Sequence, residues 1–258
     1  MGGMCATERR TIDTVMTLLP EYEARMNKLL AEVAPHCDRV RPGARALELG
    51  AAQGLFVHAL CNAGYDARGI EPWQPAIENS RKVAERTGIE LEVDRGRAEE
   101  LPYEDEEFDL VVALSVMEHV DDHNAAFREV HRVLRRGGGF YFHTTSALNP
   151  HQHEIAGFPL FPWYPRSLQC RIMRWAAENR PSLVGGTTAP AVNWFTPWGV
   201  KRDLRSAGFR EVVERWDLKN NQSFEGWRRS ALRIVRSAKP LRFAGEFIKP
   251  GSGYLAIK

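Results

Sequence analysis

The chain has 258 residues, 43% of them hydrophobic and 26% charged, with a formal net charge of +2. This is the composition of a folded domain with a substantial core, and it excludes disordered and collagen-like chains. No run approaches the ~18 apolar residues of a membrane span, no signal-peptide core is visible, and there is no lysine-rich arm or nucleic-acid-binding motif, so a cytoplasmic protein without a nucleic-acid partner is expected.

The near-neutral total hides an asymmetry. Residues 1–143 carry 17 Lys and Arg against 25 Asp and Glu, whereas residues 144–258 carry 18 against 8. Complementary packing and solvated helix faces explain such a split, and so does attraction to an anionic substrate or surface. Cys5, Cys37, Cys61 and Cys170 are scattered without CxxC spacing and read as reduced thiols.

In chain order, residues 9–34 have a helical pattern that is interrupted near Pro20 and stopped by Pro35. Pro42-Gly43 turns the chain into a first strand at 45–49, followed by helix 54–63, strand 66–70, helix 75–87 and strand 90–94. After the acidic loop 104–107 come strand 109–114, helix 122–135 and strand 139–144. This βα alternation predicts an α/β fold with a doubly wound, mainly parallel sheet and helices on both faces.

The alternation breaks at Thr144, and roughly fifty residues pass before the next clear unit, far more than an ordinary connection. The stretch contains Phe158-Pro-Leu-Phe-Pro-Trp-Tyr-Pro165 and a helical pattern at 166–179. Thr196-Pro197 then pairs an N-cap with proline at the first helical position and opens helix 197–206. Strand 210–216 follows Gly208. Residues 223–238 place Phe224, Trp227, Ala231, Ile234 and Ala238 on one helical face with arginines between them, and a last strand spans 254–257.

The first strand runs straight into Glu48-Leu-Gly50-Ala51-Ala-Gln-Gly54, and the second ends in Gly69-Ile70-Glu71. Glycine admits backbone angles closed to other residues and lets main chain approach a ligand. A carboxylate at the tip of the second strand is placed to accept hydrogen bonds from both hydroxyls of a ribose. Together they point to a nucleoside-containing cofactor.

The order of elements, with Gly96-Arg-Ala-Glu-Glu-Leu-Pro102, Phe108-Asp-Leu-Val-Val-Ala-Leu114 and Val133-Leu-Arg-Arg-Gly-Gly-Gly139, resembles the class I S-adenosylmethionine-dependent methyltransferases. The resemblance covers 45–144 closely and 195–258 more loosely. It implies a Rossmann-like sheet of seven strands in a single domain over 1–258, with an N-terminal helical segment at 1–40 and an inserted substrate lid at 145–195. By the same resemblance the cofactor is S-adenosylmethionine, with Glu48 near its amino group and Gly50, Ala51 and Gly54 against its methionine and ribose portions. Glu71 holds the ribose hydroxyls, Arg97, Ala98 and Glu99 lie along the adenine edge, and Leu114 and Ser115 stand beside the cofactor. Pro72 and Trp73, directly after Glu71, are placed to pack on the adenine face, with Trp73 capping the following helix as an equal alternative.

Two positions depart from the family pattern. Ala52 stands where a central glycine is common. Arg97 stands where an aspartate commonly accepts a bond from the adenine amino group, which arginine cannot do. Glu99 or a backbone carbonyl then takes that part. A dinucleotide is not expected, because the GxGxxG fingerprint fails at Leu55.

Methyl transfer to oxygen needs alignment, exclusion of water and a base for the acceptor proton. Ligands in this type of sheet bind beyond the carboxyl ends of the strands. The base candidates are therefore His119 after the fourth strand, His143 at the end of the fifth, and His151 and His153 in the insertion. Each has a bland alternative: His119 ordering a loop, His143 facing the core with Tyr141, and His151 and His153 in a solvated loop. His151-Gln-His153-Glu154 lacks a converging ligand set, so no metal is expected.

Phe158, Phe161, Trp163, Tyr164, Trp175, Trp194 and Phe195 crowd the insertion and suit either a flat, lipophilic acceptor or the glue of a lid. Arginines at 166, 171, 174, 228, 229, 233 and 236 add a second option, contact with an anionic lipid surface. The function expected is O-methylation of a small aromatic or lipophilic metabolite, in the manner of quinone and secondary-metabolite methyltransferases. The alternatives are a non-methylating, cyclase-like reaction on the same fold, or a non-catalytic cofactor-binding scaffold. Oligomeric state is not legible.

Overall fold

A computed structural model describes residues 12–150, 154–185, 189–218, 234–235, 237–248 and 251–258. Its frame is a seven-stranded sheet built from β1 (Arg45–Leu49), β2 (Asp66–Glu71), β3 (Glu92–Arg95), β4 (Phe108–Leu114), β5 (Leu134–Thr145), β6 (Glu211–Glu214) and β7 (Gly251–Ile257). The strand order is β3-β2-β1-β4-β5-β7-β6. The first five strands are mutually parallel, and β7 runs antiparallel to both β5 and β6. The order reverses between β1 and β4, where a crevice opens at the strands' carboxyl ends.

Strand periodicity sorts the core onto two faces. Ala46, Leu110 and Val112 point to the face covered by α1 (Ile12–Met16), α2 (Leu19–Val33) and α3 (Leu55–Asn62), joined by Val83 of α4 (Gln74–Thr87). Leu47, Leu49, Val111, Ala113, Phe140 and Phe142 point to the opposite face, under α5 (His123–Val133) and α7 (Pro197–Ser206). Both α5 and α7 are capped as their sequences demand. The Asp122 carboxylate accepts from the N–H groups of Asn124 and Ala125, and the Thr196 hydroxyl accepts from that of Gly199.

Between β5 and α7 the chain leaves the sheet. Helix α6 (Arg166–Asn179) and its neighbours have a core of their own, made of Ile155, Phe161, Met173, Ala176, Val184 and Ala191. Phe158, Tyr164 and Trp194 ring Phe161 at centroid distances of 5.4–5.9 Å. These aromatics hold the insertion together.

Several boundaries differ from the sequence reading. The helix expected at 122–135 ends at Val133, because Leu134 already pairs with Phe108 and β5 begins there, with a register shift before Gly139 meets Leu110. The strand expected at 210–216 stops at Glu214, where Arg215–Leu218 winds into a short helix, α8. Helix α9 (Lys239–Ile248) had no counterpart in the reading, since Pro240 and Gly245 mask its pattern. The pattern at 223–238 falls mostly outside the described residues. Among the described residues, no helix is long and apolar enough to cross a membrane.

Candidate functional site

A cavity of about 560 Å³ lies at the crevice between β1 and β4, within the usual size range for small-molecule sites. Its walls come from four loops. Gly50 follows β1; Glu71 and Pro72 end and follow β2; Gly96 to Glu99 follow β3; Ser115, Val116, His119, Val120 and Asp121 follow β4. The insertion closes the remaining side with Arg174, Ala189, Pro190 and Val192.

The β1 turn is built by backbone bonds. The N–H groups of Gly50 and Ala51 both donate to the Ile70 carbonyl, at 2.9 and 3.0 Å. Gly50 has φ +66°, and a Cβ there would sit 2.5 Å from Val116 Cγ2. Only glycine fits that floor. Ala52, at the usual glycine position, adopts φ +46° and carries the modest strain of a left-handed non-glycine residue. Ser115, at φ +60°, is held likewise, its N–H donating to the His143 carbonyl at 3.0 Å. Such strained residues gather at functional sites.

Glu71 is buried and takes one backbone bond on each carboxylate oxygen. Oε2 accepts from Ala52 N at 2.9 Å and Oε1 from Trp73 N at 3.0 Å. Burial pushes its carboxyl above the usual range while those two bonds pull it down. Each oxygen keeps a lone pair, enough to accept from two adjacent hydroxyls. The apolar walls Pro72, Ala98, Val116, Val120 and Val192 suit a flat ring beside it.

Arg97 lines the cavity but is bound at its rim. Its Nη2 donates to Asp121 Oδ2 at 2.6 Å and to Glu99 Oε1 at 3.2 Å, and Asp121 N donates to the same Glu99 oxygen at 2.9 Å. These partners raise the guanidinium's affinity for its proton. Glu99 Oε2 is not taken by these bonds and offers a side-chain acceptor on this edge. The donor set therefore fits an adenosine-like group: a carboxylate for the diol, a glycine floor and an apolar slot with an acceptor at its edge.

Among the anticipated residues, Gly50, Glu71, Pro72, Arg97, Ala98, Glu99, Ser115 and His119 are brought together in the cavity walls. Glu48, Ala51, Gly54, Trp73, Leu114 and His143 are not among those walls. Glu48 shares the face of Ala46, and its carboxyl takes a backbone bond from Val57 in the first turn of α3. Its Oε2 has no partner among the described residues, and burial, with Glu71 nearby, drives the carboxyl well toward the neutral form. Ala51 packs against Gly69, and Gly54, the N-cap of α3, packs against Ser80 and Leu91. His143 presses on Gly251, and burial together with Arg215 and Arg25 lowers its pKa, which favours neutral imidazole. None of the seven aromatics anticipated in the insertion lines the cavity. His151 and His153 lie outside the described residues.

His119 stands out among the walls. Its Nδ1 is sealed from solvent and has no hydrogen-bond partner among the described residues. Beside it, Glu118 is buried and accepts from Thr144 Oγ1 at 3.1 Å. Burial and the neighbouring Glu154 push that carboxyl up to about 7. The sequence displayed Glu118 next to His119, yet nothing local announced its burial. Asn193 was also missed. Its amide donates to the carbonyls of Met117 and Val120 at 3.2 and 2.7 Å, its own N–H and that of Val192 donate to the Glu118 carbonyl, and Arg166 donates to its Oδ1 at 2.9 Å. This clamp fastens the insertion to the loop that carries His119.

Residues 47–142, from β1 into β5, match the family described as a methyltransferase domain. A ubiquinone biosynthesis O-methyltransferase of Methylocella silvestris is 35% identical over 181 residues, covering 67% of this chain and 69% of that protein. An uncharacterized protein of Mycobacterium tuberculosis is 29% identical over 171 residues, covering 64% of this chain and 56% of the relative, so the match spans little more than half of that relative's length. An S-adenosylmethionine-dependent methyltransferase from Mesorhizobium loti superposes with a TM-score of 0.57 at 19% identity, covering 89% of this chain and 96% of that one, a likeness of fold.

Proposed function

Because the chain belongs to the class I S-adenosylmethionine-dependent methyltransferases, we propose that it methylates an oxygen of a small aromatic or lipophilic metabolite, with His119 taking the acceptor's proton. The observation that carries this proposal is the His119 imidazole in the cavity wall beside Ser115 and Val116. Support for oxygen as the acceptor atom comes from the name of the Methylocella silvestris relative, an O-methyltransferase. The insertion's aromatics lend none, since none of the seven lines the cavity.

S-adenosylmethionine, when bound, supplies a methyl group on a sulfonium and departs as a neutral thioether. Glu71 would hold its ribose hydroxyls, the Gly50 floor would admit its chain, and Ala98, Glu99 and Pro72 would bracket its adenine. With a neutral leaving group there is no anion to stabilise, so the protein's task is alignment and exclusion of water. Val116, Val120 and Val192 keep the chamber apolar, and residues 145–195 act as a lid whose Arg174 and 189–192 segment close its mouth. His119 would accept the hydroxyl proton as the oxygen's lone pair is engaged.

The test uses the full chain with methyl-labelled S-adenosylmethionine and a panel of catechols, hydroquinones and lipophilic phenols. A labelled methyl ether is expected, and His119→Ala should slow its formation roughly 10²–10⁴-fold while leaving cofactor affinity by calorimetry within about twofold. Label on nitrogen or carbon, or wild-type turnover by His119→Ala, would overturn the proposal.

A further inference from the structure

Helix α6 presents one stripe of side chains to the rest of the molecule. Arg166, Cys170 and Arg174 recur at four-residue spacing and so share a side of the helix. Arg166 Nη2 donates to Asn193 Oδ1 at 2.9 Å, and Cys170 Sγ lies 3.9 Å from the Val192 carbonyl oxygen. Arg174, one turn further along, comes out in the cavity wall with Ala189 and Pro190. Met173 and Ala176, buried in the insertion's own core, fix the helix in that position. The N–H groups of Val192 and Asn193 donate in turn to the Glu118 carbonyl, next to His119. One continuous set of contacts thus holds the Arg174 guanidinium and the His119 imidazole on the same chamber, with Val120, Ala189, Pro190 and Val192 as apolar wall around them.

The charged groups of the cavity wall are Glu71, Glu99, Asp121, Arg97 and Arg174. Four of them are committed: Glu71 to two backbone N–H groups, and Arg97 to both Glu99 and Asp121. Arg174 has no hydrogen bond or ion pair among the described residues, not even with Glu178 one turn away. A guanidinium with its fork of donors open on an apolar chamber is a bidentate receptor for a carboxylate. One positive charge balances a carboxylate, whereas a phosphate dianion would leave charge uncompensated in a cavity that already holds Glu99 and Asp121. Helix α6 carries Arg166, Arg171 and Arg174 against Glu178 alone, which steers an anion toward this wall. The rival ligand is the carboxylate of S-adenosylmethionine. In the proposed binding mode, however, its methionine chain passes over Gly50 after β1, while Arg174 enters with the insertion.

We propose that Arg174 selects the acceptor by binding a carboxylate on the hydroxyaromatic compound whose hydroxyl faces His119. The acceptor class narrows to hydroxyaromatic acids. The hydroxyl half of this inference rests on the methyl-transfer proposal, whereas carboxylate recognition is measurable by binding alone.

The experiment is calorimetric titration of the full chain, saturated with S-adenosylhomocysteine, with protocatechuate and with its methyl ester, which differ at the carboxylate only. The acid is expected to bind about ten- to a hundredfold more tightly than the ester, and Arg174→Gln to bring that ratio near one. Arg174→Lys keeps the charge but loses the fork, and should retain only part of the preference. S-adenosylhomocysteine itself should bind Arg174→Gln within about twofold of the wild type, which also reports that the variant is folded. Absence of binding by the acid, equal binding of acid and ester, or a preference that persists in Arg174→Gln would overturn the inference. So would a loss of S-adenosylhomocysteine affinity in that variant, which would assign the guanidinium to the cofactor's carboxylate. Turnover of the same pair with methyl-labelled S-adenosylmethionine separates the two proposals: a preference in binding without a methyl ether would sink the methyl transfer and uphold the carboxylate site.

Discussion

The segment from β1 to Asp121 and the insertion between β5 and α7 both line one cavity, but they reach it by different physical means. In the first, each wall follows directly on a strand, and its shape is set by backbone bonds between adjacent strand ends, such as Gly50 and Ala51 to Ile70. In the second, Arg174, Ala189, Pro190 and Val192 arrive from a separate small core and are held by one polar clamp at Asn193. Local geometry makes the cofactor side stiff and generic. A few long-range bonds make the insertion side specific and separable.

Gly50→Ala strikes the stiff side hardest. The left-handed backbone and the 2.5 Å approach to Val116 together should cost about 3–5 kcal/mol by urea denaturation, and cofactor binding should vanish in calorimetry. A loss under 1 kcal/mol would mean that the floor yields more easily than its bonds suggest.

Glu118 probes the joint between the two regions through pH. Its carboxyl is raised from about 4.5 to about 7, so the folded state holds a proton that the unfolded chain has released. Stability from this group is complete below pH 4.5 and lost as pH rises through 7, a fall of about 3 kcal/mol. Glu71 and Glu48 are raised too and slope the same way. Glu118→Gln should match the wild type near pH 5 and exceed it near pH 8, with thermal melting as the readout. Parallel pH curves for the two proteins would contradict the assignment.

Asn193→Ala should cost about 1–3 kcal/mol by leaving the Met117 and Val120 carbonyls and the Arg166 guanidinium short of partners. Its distinguishing mark is where the loss appears. Amide exchange should accelerate in 155–185 and around His119 while β1 to β4 stay protected. Uniform acceleration would deny that the insertion is separable.

The smallest effect is at Ala52. Ala52→Gly relieves a left-handed alanine at φ +46°, and against the extra entropy of an unfolded glycine the net change should stay within about 1 kcal/mol of the wild type. Cofactor affinity should not fall. A marked loss would mean that the alanine methyl has a packing role.

The sequence by itself determined the α/β alternation, the glycine turn after the first strand and the carboxylate at the tip of β2. These rest on short-range causes: strand periodicity, turn residues, and the fixed distance from one strand end to the next. Gly50 and Glu71 were legible for that reason, whereas the 97–99 segment was legible through the resemblance to the methyltransferases. Only the tertiary structure decided which neighbours of the motifs face the ligand. Pleat alternation put Glu48 under α3, although Gly50 of the cavity lies only two residues on, and it put His143 against Gly251. Asn193 and Glu118 acquire their roles from partners 26 to 76 residues away. Helix α9, whose proline and glycine masked its pattern, is seated by packing on Trp216, which occupies the gap left at Gly245. Contacts of that range leave no periodicity in the chain, because their geometry is set by how whole elements pack.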